Sequence, residues 1–218
     1  MKKFDTIFDI KTVMTYAVAA FKQNNEKYVT DGLASNKIII QSHLGLLDDF
    51  RMAFVDFVAE DCAELADKVV AYYKGLTFKA MGGKINEFEQ RVLNIINTGE
   101  VTMRDIGVIA SLPKAYFRSV KRDAIDQTIR SLSVDSTYVG VVNKDFTGTL
   151  NVLNCSFIQS LQCHVVNGEI DGNLVCFFTK HPAEHWGNNC KIKGKVKRHQ
   201  KSKFHRGNET VLNYVKKV

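Results

Sequence analysis

Cysteine and histidine gather between Cys176 and Cys190, where Cys176, His181, His185 and Cys190 are spaced C-x4-H-x3-H-x4-C. Thiolate and imidazole are the ligands that tetrahedral zinc prefers, so metal binding is one chemistry open to this stretch. The spacing matches neither a zinc ribbon nor a finger. Cys176 also lies inside the apolar run Leu174–Phe178, where a thiol more commonly serves as a small core residue. His181 and His185, either side of Pro182, read better as loop residues near phosphate, where an anion favours the charged imidazole. Paired carboxylates stand at Asp48-Asp49 and Glu60-Asp61, and Asp123 and Asp126 share a helical i, i+3 spacing. A two-metal nuclease needs such groups to converge with further acids, and nothing in the spacing requires convergence. Cys163 and His164 are neighbours on an expected strand, so they point to opposite faces and cannot form a dyad with each other. No catalytic residue, metal or cofactor is therefore assigned, and a non-enzymatic role is expected.

The stronger pattern is one of binding. Phe157, Phe177, Phe178, Trp186, Phe204 and Tyr214 fall among Lys180, Lys195, Lys197, Arg198, Lys203 and Arg206. Aromatic faces accept stacked bases of any sequence while lysine and arginine follow the phosphates. Phe177 and Phe178 are adjacent on a strand, so one of them must be core. Trp186 and Phe204 sit in polar loop sequence and are the expected stacking platforms. The expected interface comprises Lys180, Trp186, Lys191, Lys193, Lys195, Lys197, Arg198, Lys201, Lys203, Phe204 and Arg206, with the loop His199–Gly207 wrapping a single strand.

Charge supports this. The chain carries a net +7, yet residues 180–218 hold eleven Lys/Arg against Glu184 and Glu209, a local +9, while residues 1–179 come to −2. An excess of cations confined to one segment suits a polyanion, because each phosphate contact releases condensed counterions.

The elements that must position these residues fall into two halves. At 218 residues, 45% hydrophobic and 24% charged, the chain is long enough for one or two globular domains, and collagen-like, mucin-like and wholly disordered classes are excluded. Five cysteines in no regular spacing point to reduced thiols, and no apolar run reaches the roughly 18 residues of a membrane span. A soluble, cytoplasmic protein with no membrane partner is expected.

Residues 1–132 carry helical period. A first helix ends near Asn24-Asn25, and a broad apolar stripe from Ser42 to Tyr73 predicts one long helix or a bent pair. Gly82-Gly83 marks a turn, and a helix over Asn86–Asn97 stops at Thr98-Gly99. Thr102 then caps a helix that Pro113 ends, before a basic helix over Tyr116–Leu132. From residue 133 the pattern changes to short β-rich runs: Tyr138–Val142, Phe146–Cys155, Leu161–Val166, Leu174–Thr179, Lys191–Arg198 and Thr210–Val215. Asn167-Gly168 and Asp171-Gly172 read as turns. In Lys191–Lys197 apolar and basic residues alternate, predicting a strand with a lysine ladder on its exposed face. The expected class is α+β, a helical domain over 1–132 followed by a small antiparallel barrel of OB type over 133–218.

The stretch 136–218 resembles the OB-fold-like domain of bacteriophage DNA-replication and recombination proteins. The resemblance rests on Ser136-Thr137-Tyr138-Val139-Gly140, on Asp171-Gly172-Asn173 followed by Leu174–Phe178, on Ile192–His199 and on Gly207–Lys216; residues 86–110 resemble the segment that precedes this domain. Glu209 stands where that family often has glutamine. The resemblance implies single-stranded nucleic acid, DNA above all, as the partner. The alternative is an accessory subunit that docks on a polymerase, helicase or recombinase, with the helical region supplying a partner or self-association surface; a metal-dependent nuclease ranks third.

Overall fold

The computed structural model describes residues 6–47, 58–83, 85–202 and 204–218. The chain divides into two compact units, Met1–Val120 and Lys121–Val218, and the division falls within one helix.

The first unit is helical. Its elements are β1 (Ile7–Asp9), α1 (Ile10–Gln23), α2 (Asn36–His43), α3 (Asp61–Lys74), α4 (Thr77–Met81), α5 (Glu87–Thr98), β2 (Glu100–Thr102) and the first half of α6 (Ile106–Asp135). The starts of α1 and α5 have a local cause. Asp9 caps α1 by accepting from the Thr12 amide at 2.9 Å, and Asn86 and Glu89 form a reciprocal capping box at α5. Gly99, left-handed at φ 73°, stops α5 where expected. The apolar stripes of α1, α2, α3, α5 and α6 meet in one core around Val13, Met14, Ile39, Val69, Ile96 and Ile109.

Several expectations are corrected here. The Ser42–Tyr73 stripe is not one helix: α2 begins earlier, at Asn36, and ends at His43, Gly45 turns the chain with φ 67°, and α3 starts at Asp61. The middle of that stripe, 48–57, lies outside the described residues. The segment before Gly82-Gly83 contains the short helix α4. Thr102 ends β2 instead of capping a helix; it donates its hydroxyl to Asp105 at 2.6 Å, and Asp105 accepts the first helical bond from Ile109. Pro113 does not end a helix, because α6 runs through it to Asp135. An interior proline costs about 3 kcal/mol by removing one bond and crowding the carbonyl four residues back. Burial of Ile109, Leu112 and Pro113 itself in the core offsets that cost.

The second unit joins the last half of α6 to a closed five-stranded barrel of β3 (Asp145–Ile158), β4 (Cys163–Ile170), β5 (Asn173–Thr179), β6 (Cys190–Lys201) and β7 (Asn208–Lys217), with a short helix α7 (Ala183–Trp186) between β5 and β6. The strand order is β3-β4-β5-β7-β6, closed by the pairing of β6 with β3. All pairs are antiparallel except β5 with β7, which is parallel. Leu150, Val166, Ile170, Val175, Phe177, Trp186, Ile192, Val196 and Leu212 fill its interior.

Tyr138–Val142 is not a strand but a connection to the barrel. Asp171-Gly172 is the β4–β5 hairpin turn, with both residues at positive φ. Asn167-Gly168 lies instead inside β4, beside a bulge in β3 between Val152 and Asn154. A Cβ on Gly168 would come within 2.6 Å of Leu150 Cδ1 and 2.7 Å of the Asn151 carbonyl oxygen. Here glycine permits a close approach of strands, not a turn.

Candidate nucleic-acid interface

The strand β6 carries the expected ladder. Cys190, Ile192, Gly194 and Val196 are buried while Lys191, Lys193, Lys195 and Lys197 are exposed. The pairing of Val196 with Leu212 and of Arg198 with Val211 leaves one extra residue on β6, so Lys197 and Arg198 are both exposed in succession. Lys193 reaches Asp145 at 3.3 Å, and the β7 lysine Lys216 stands directly opposite it.

A second surface lies on the outer face of β4 and β5. Directly paired residues share a face, so Val165 with Phe178 and Asn167 with Cys176 point outward together. This face, residues 126–130 of α6 and the β6–β7 loop enclose a groove of about 600 Å3, lined among others by Arg130, Asn167, Phe178, Phe204, His205 and Glu209. Phe178 is 56% exposed and Phe204 98%. The loop that presents Phe204 is braced: Ser202 donates to the Gly207 carbonyl at 2.9 Å, and the amides of Phe204 and Arg206 return to Ser202.

The expected residues thus divide between two walls. Lys191, Lys193, Lys195 and Lys197 lie on β6, which pairs only with β3 and β7, whereas the groove lies on β4 and β5. Phe204 lines the groove; Lys201 is exposed at the end of β6, Lys180 and Arg206 are exposed on the segments that leave β5 and connect β6 to β7, and Lys203 lies outside the described residues. Phe177 is the core member of its pair, as alternation requires. Phe157 pairs with His164 on the opposite face from Phe178, the rings 5.0 Å apart.

Trp186 is a correction. It is 1% exposed and packs edge-on against Phe177 at 5.0 Å between ring centroids. Its polar sequence neighbours conceal that the four-residue α7 turns the indole into the barrel, so it offers no face to a base. The four residues of the metal alternative, Cys176, His181, His185 and Cys190, are not gathered as one site among the described residues. Cys176 donates to Glu209 Oε1 at 3.4 Å, Cys190 to the Lys191 carbonyl at 3.7 Å, and the rings of His181 and His185 stack at 4.0 Å. Among the described residues no three His, Cys, Asp or Glu side chains come together as a metal site. Of the acidic pairs, Asp126 lines the groove and Asp61 pairs with Lys22; Asp48-Asp49 lies outside the described residues.

Sequence reasoning missed the polar floor of the groove. Glu209, 7% exposed, accepts from Gln200 Nε2 at 2.8 Å and from the Cys176 thiol, and lies 3.5 Å from His205 Nε2. Burial, together with the Glu209 carboxylate beside it, pushes the Cys176 thiol up to about 12. A thiol whose folded pKa is raised stabilises the fold below its unfolded value of 9.0, and this is lost as pH rises toward about 12. Wild type is therefore expected to lose more stability across that interval than Cys176→Ala, measured by urea unfolding at stepped pH. Equal losses would mean that Cys176 ionises as freely in the barrel as in the unfolded chain.

No helix of the described residues is long and apolar enough to cross a membrane. No protein-family model matches the chain, nor does any curated protein or solved structure.

Proposed function

We propose that the second unit is an OB-type barrel that binds single-stranded nucleic acid, DNA above all, in replication or recombination of the bacteriophage kind. The topology supports the fold reading: five strands close with one parallel pair, in the compact Greek-key manner of that class. In OB barrels the second and third strands and the loops after the first and fourth form the oligonucleotide face. Counted from β3, these are β4, β5, and the loops 159–162 and 202–207.

The observation that carries the reading is the groove on that face, with Phe178 and Phe204 presented to solvent and Arg130 beside them. Bases stack on the two phenyl rings, and arginine and lysine hold the phosphates. The β6 lysines add sequence-independent attraction along the adjoining wall. The test is fluorescence anisotropy with labelled single-stranded DNA, single-stranded RNA and duplex over a salt series, for wild type and Lys195→Ala/Lys197→Ala/Arg198→Ala. Single strands are expected to bind more tightly than duplex, and log K to fall linearly with log salt. Each lost phosphate contact reduces that slope by about 0.7, so the triple variant is expected to be shallower by about 2. Absence of binding at low salt would overturn the proposal and leave the basic surface to a protein partner.

A further inference from the structure

Between the groove and the lysine ladder runs β7, and it carries an irregularity. Lys193 pairs with Lys216 and Lys195 with Asn213, so β7 has one more residue than β6 across this interval. Tyr214 lies in it with φ 53°, in the left-handed region, while Val215 packs on the barrel core. In the parallel pairing Phe177 is opposite Leu212, both buried. Regular alternation would turn Tyr214 inward two residues later; it is instead 80% exposed. A bulge re-aims a side chain, and holding a bulky non-glycine residue at positive φ costs free energy that packing does not recover at an exposed site.

What surrounds the phenol is cationic. Tyr214, Lys193, Lys195, Lys216, Asp145, Gly194 and Val218 line a hollow of about 320 Å3. Lys193 and Lys216 face each other across the strands, an arrangement that is destabilising without an anion between them. The carboxylate of Asp145 reaches Lys193, and among the described residues no ion pair engages Lys195 or Lys216.

Resting on the proposed single-strand binding, we infer that Tyr214 is a second base-stacking platform, with Lys193, Lys195 and Lys216 holding the flanking phosphates of a strand that leaves the groove past Phe178 and crosses β7. The site takes the nucleotide unit next to the groove, because the pairing of Phe177 with Leu212 brings Phe178 within two residues of Tyr214 on the adjacent strand.

The test compares wild type with Tyr214→Gly on an oligothymidylate of about 16 nucleotides, a length one such barrel covers. Glycine accepts the left-handed backbone, so the thermal midpoint is expected to hold or rise. Affinity is expected to fall about 5- to 150-fold. Lys193→Gln/Lys216→Gln is expected to reduce the salt slope by about 1.4. If wild type does not bind the strand, the functional proposal fails and this inference with it. If wild type binds but Tyr214→Gly leaves affinity unchanged, or lowers the thermal midpoint in step with affinity, this inference alone is overturned.

Discussion

Trp186→Ala is expected to cost about 3–5 kcal/mol, a large share of the stability a domain of this kind possesses. The indole is among the largest fully buried side chains, and its loss leaves a cavity against Phe177 that α7, only four residues long, has little means to fill. Urea unfolding followed by circular dichroism measures the cost. Trp186→Leu retains part of the volume and is expected to bind single strands as wild type does. A cost below about 1 kcal/mol for the alanine variant would place the indole on the surface and restore it as a stacking candidate.

Phe178→Ala/Phe204→Ala should do the reverse, leaving stability within about 0.5 kcal/mol because both side chains are exposed. Base-on-aromatic stacking contributes about 1–3 kcal/mol per base. The rings sit on different elements, one on β5 and one on the β6–β7 loop, so their effects should nearly add, to about 2–6 kcal/mol of single-strand affinity. Anisotropy titration at fixed salt reads this directly. A loss under about threefold would place the bases elsewhere on the barrel.

How far the sequence announced this arrangement depended on whether local pattern and tertiary packing agreed. In Lys191–Lys197 the alternation of charge with small or branched apolar residues leaves one way to face a core, and β6 adopts it. Asp171-Gly172 and the Gly99 cap were legible because positive φ is a local demand that side-chain chemistry advertises. Pro113 and Asn167-Gly168 misled for the converse reason: each carries a local breaking signal that packing overrides, one by burial in the helical core, the other by the approach of Leu150 and Asn151. Trp186 misled because polar neighbours say nothing of where a single turn of helix points. The groove itself was out of reach of pattern reading. Glu209, His205, Phe178 and Arg130 come from separate elements, and only the closure of the barrel beside α6 makes them neighbours.

The parallel pairing of β5 with β7 has a kinetic corollary. The strands β3, β4 and β5 can form a meander from local hairpins, but β5 and β6 are not partners, and each waits for β7 to arrive between them. Until residues 208–217 have been made, the growing polypeptide holds a sheet with two open edges, the kind of template on which chains pair with one another. Both pairings that close the ring are non-local, β3 with β6 at forty to fifty residues and β5 with β7 at thirty-five, and such contacts form slowly. The final strand is thus both the latch of the barrel and the step that ends its exposure to aggregation.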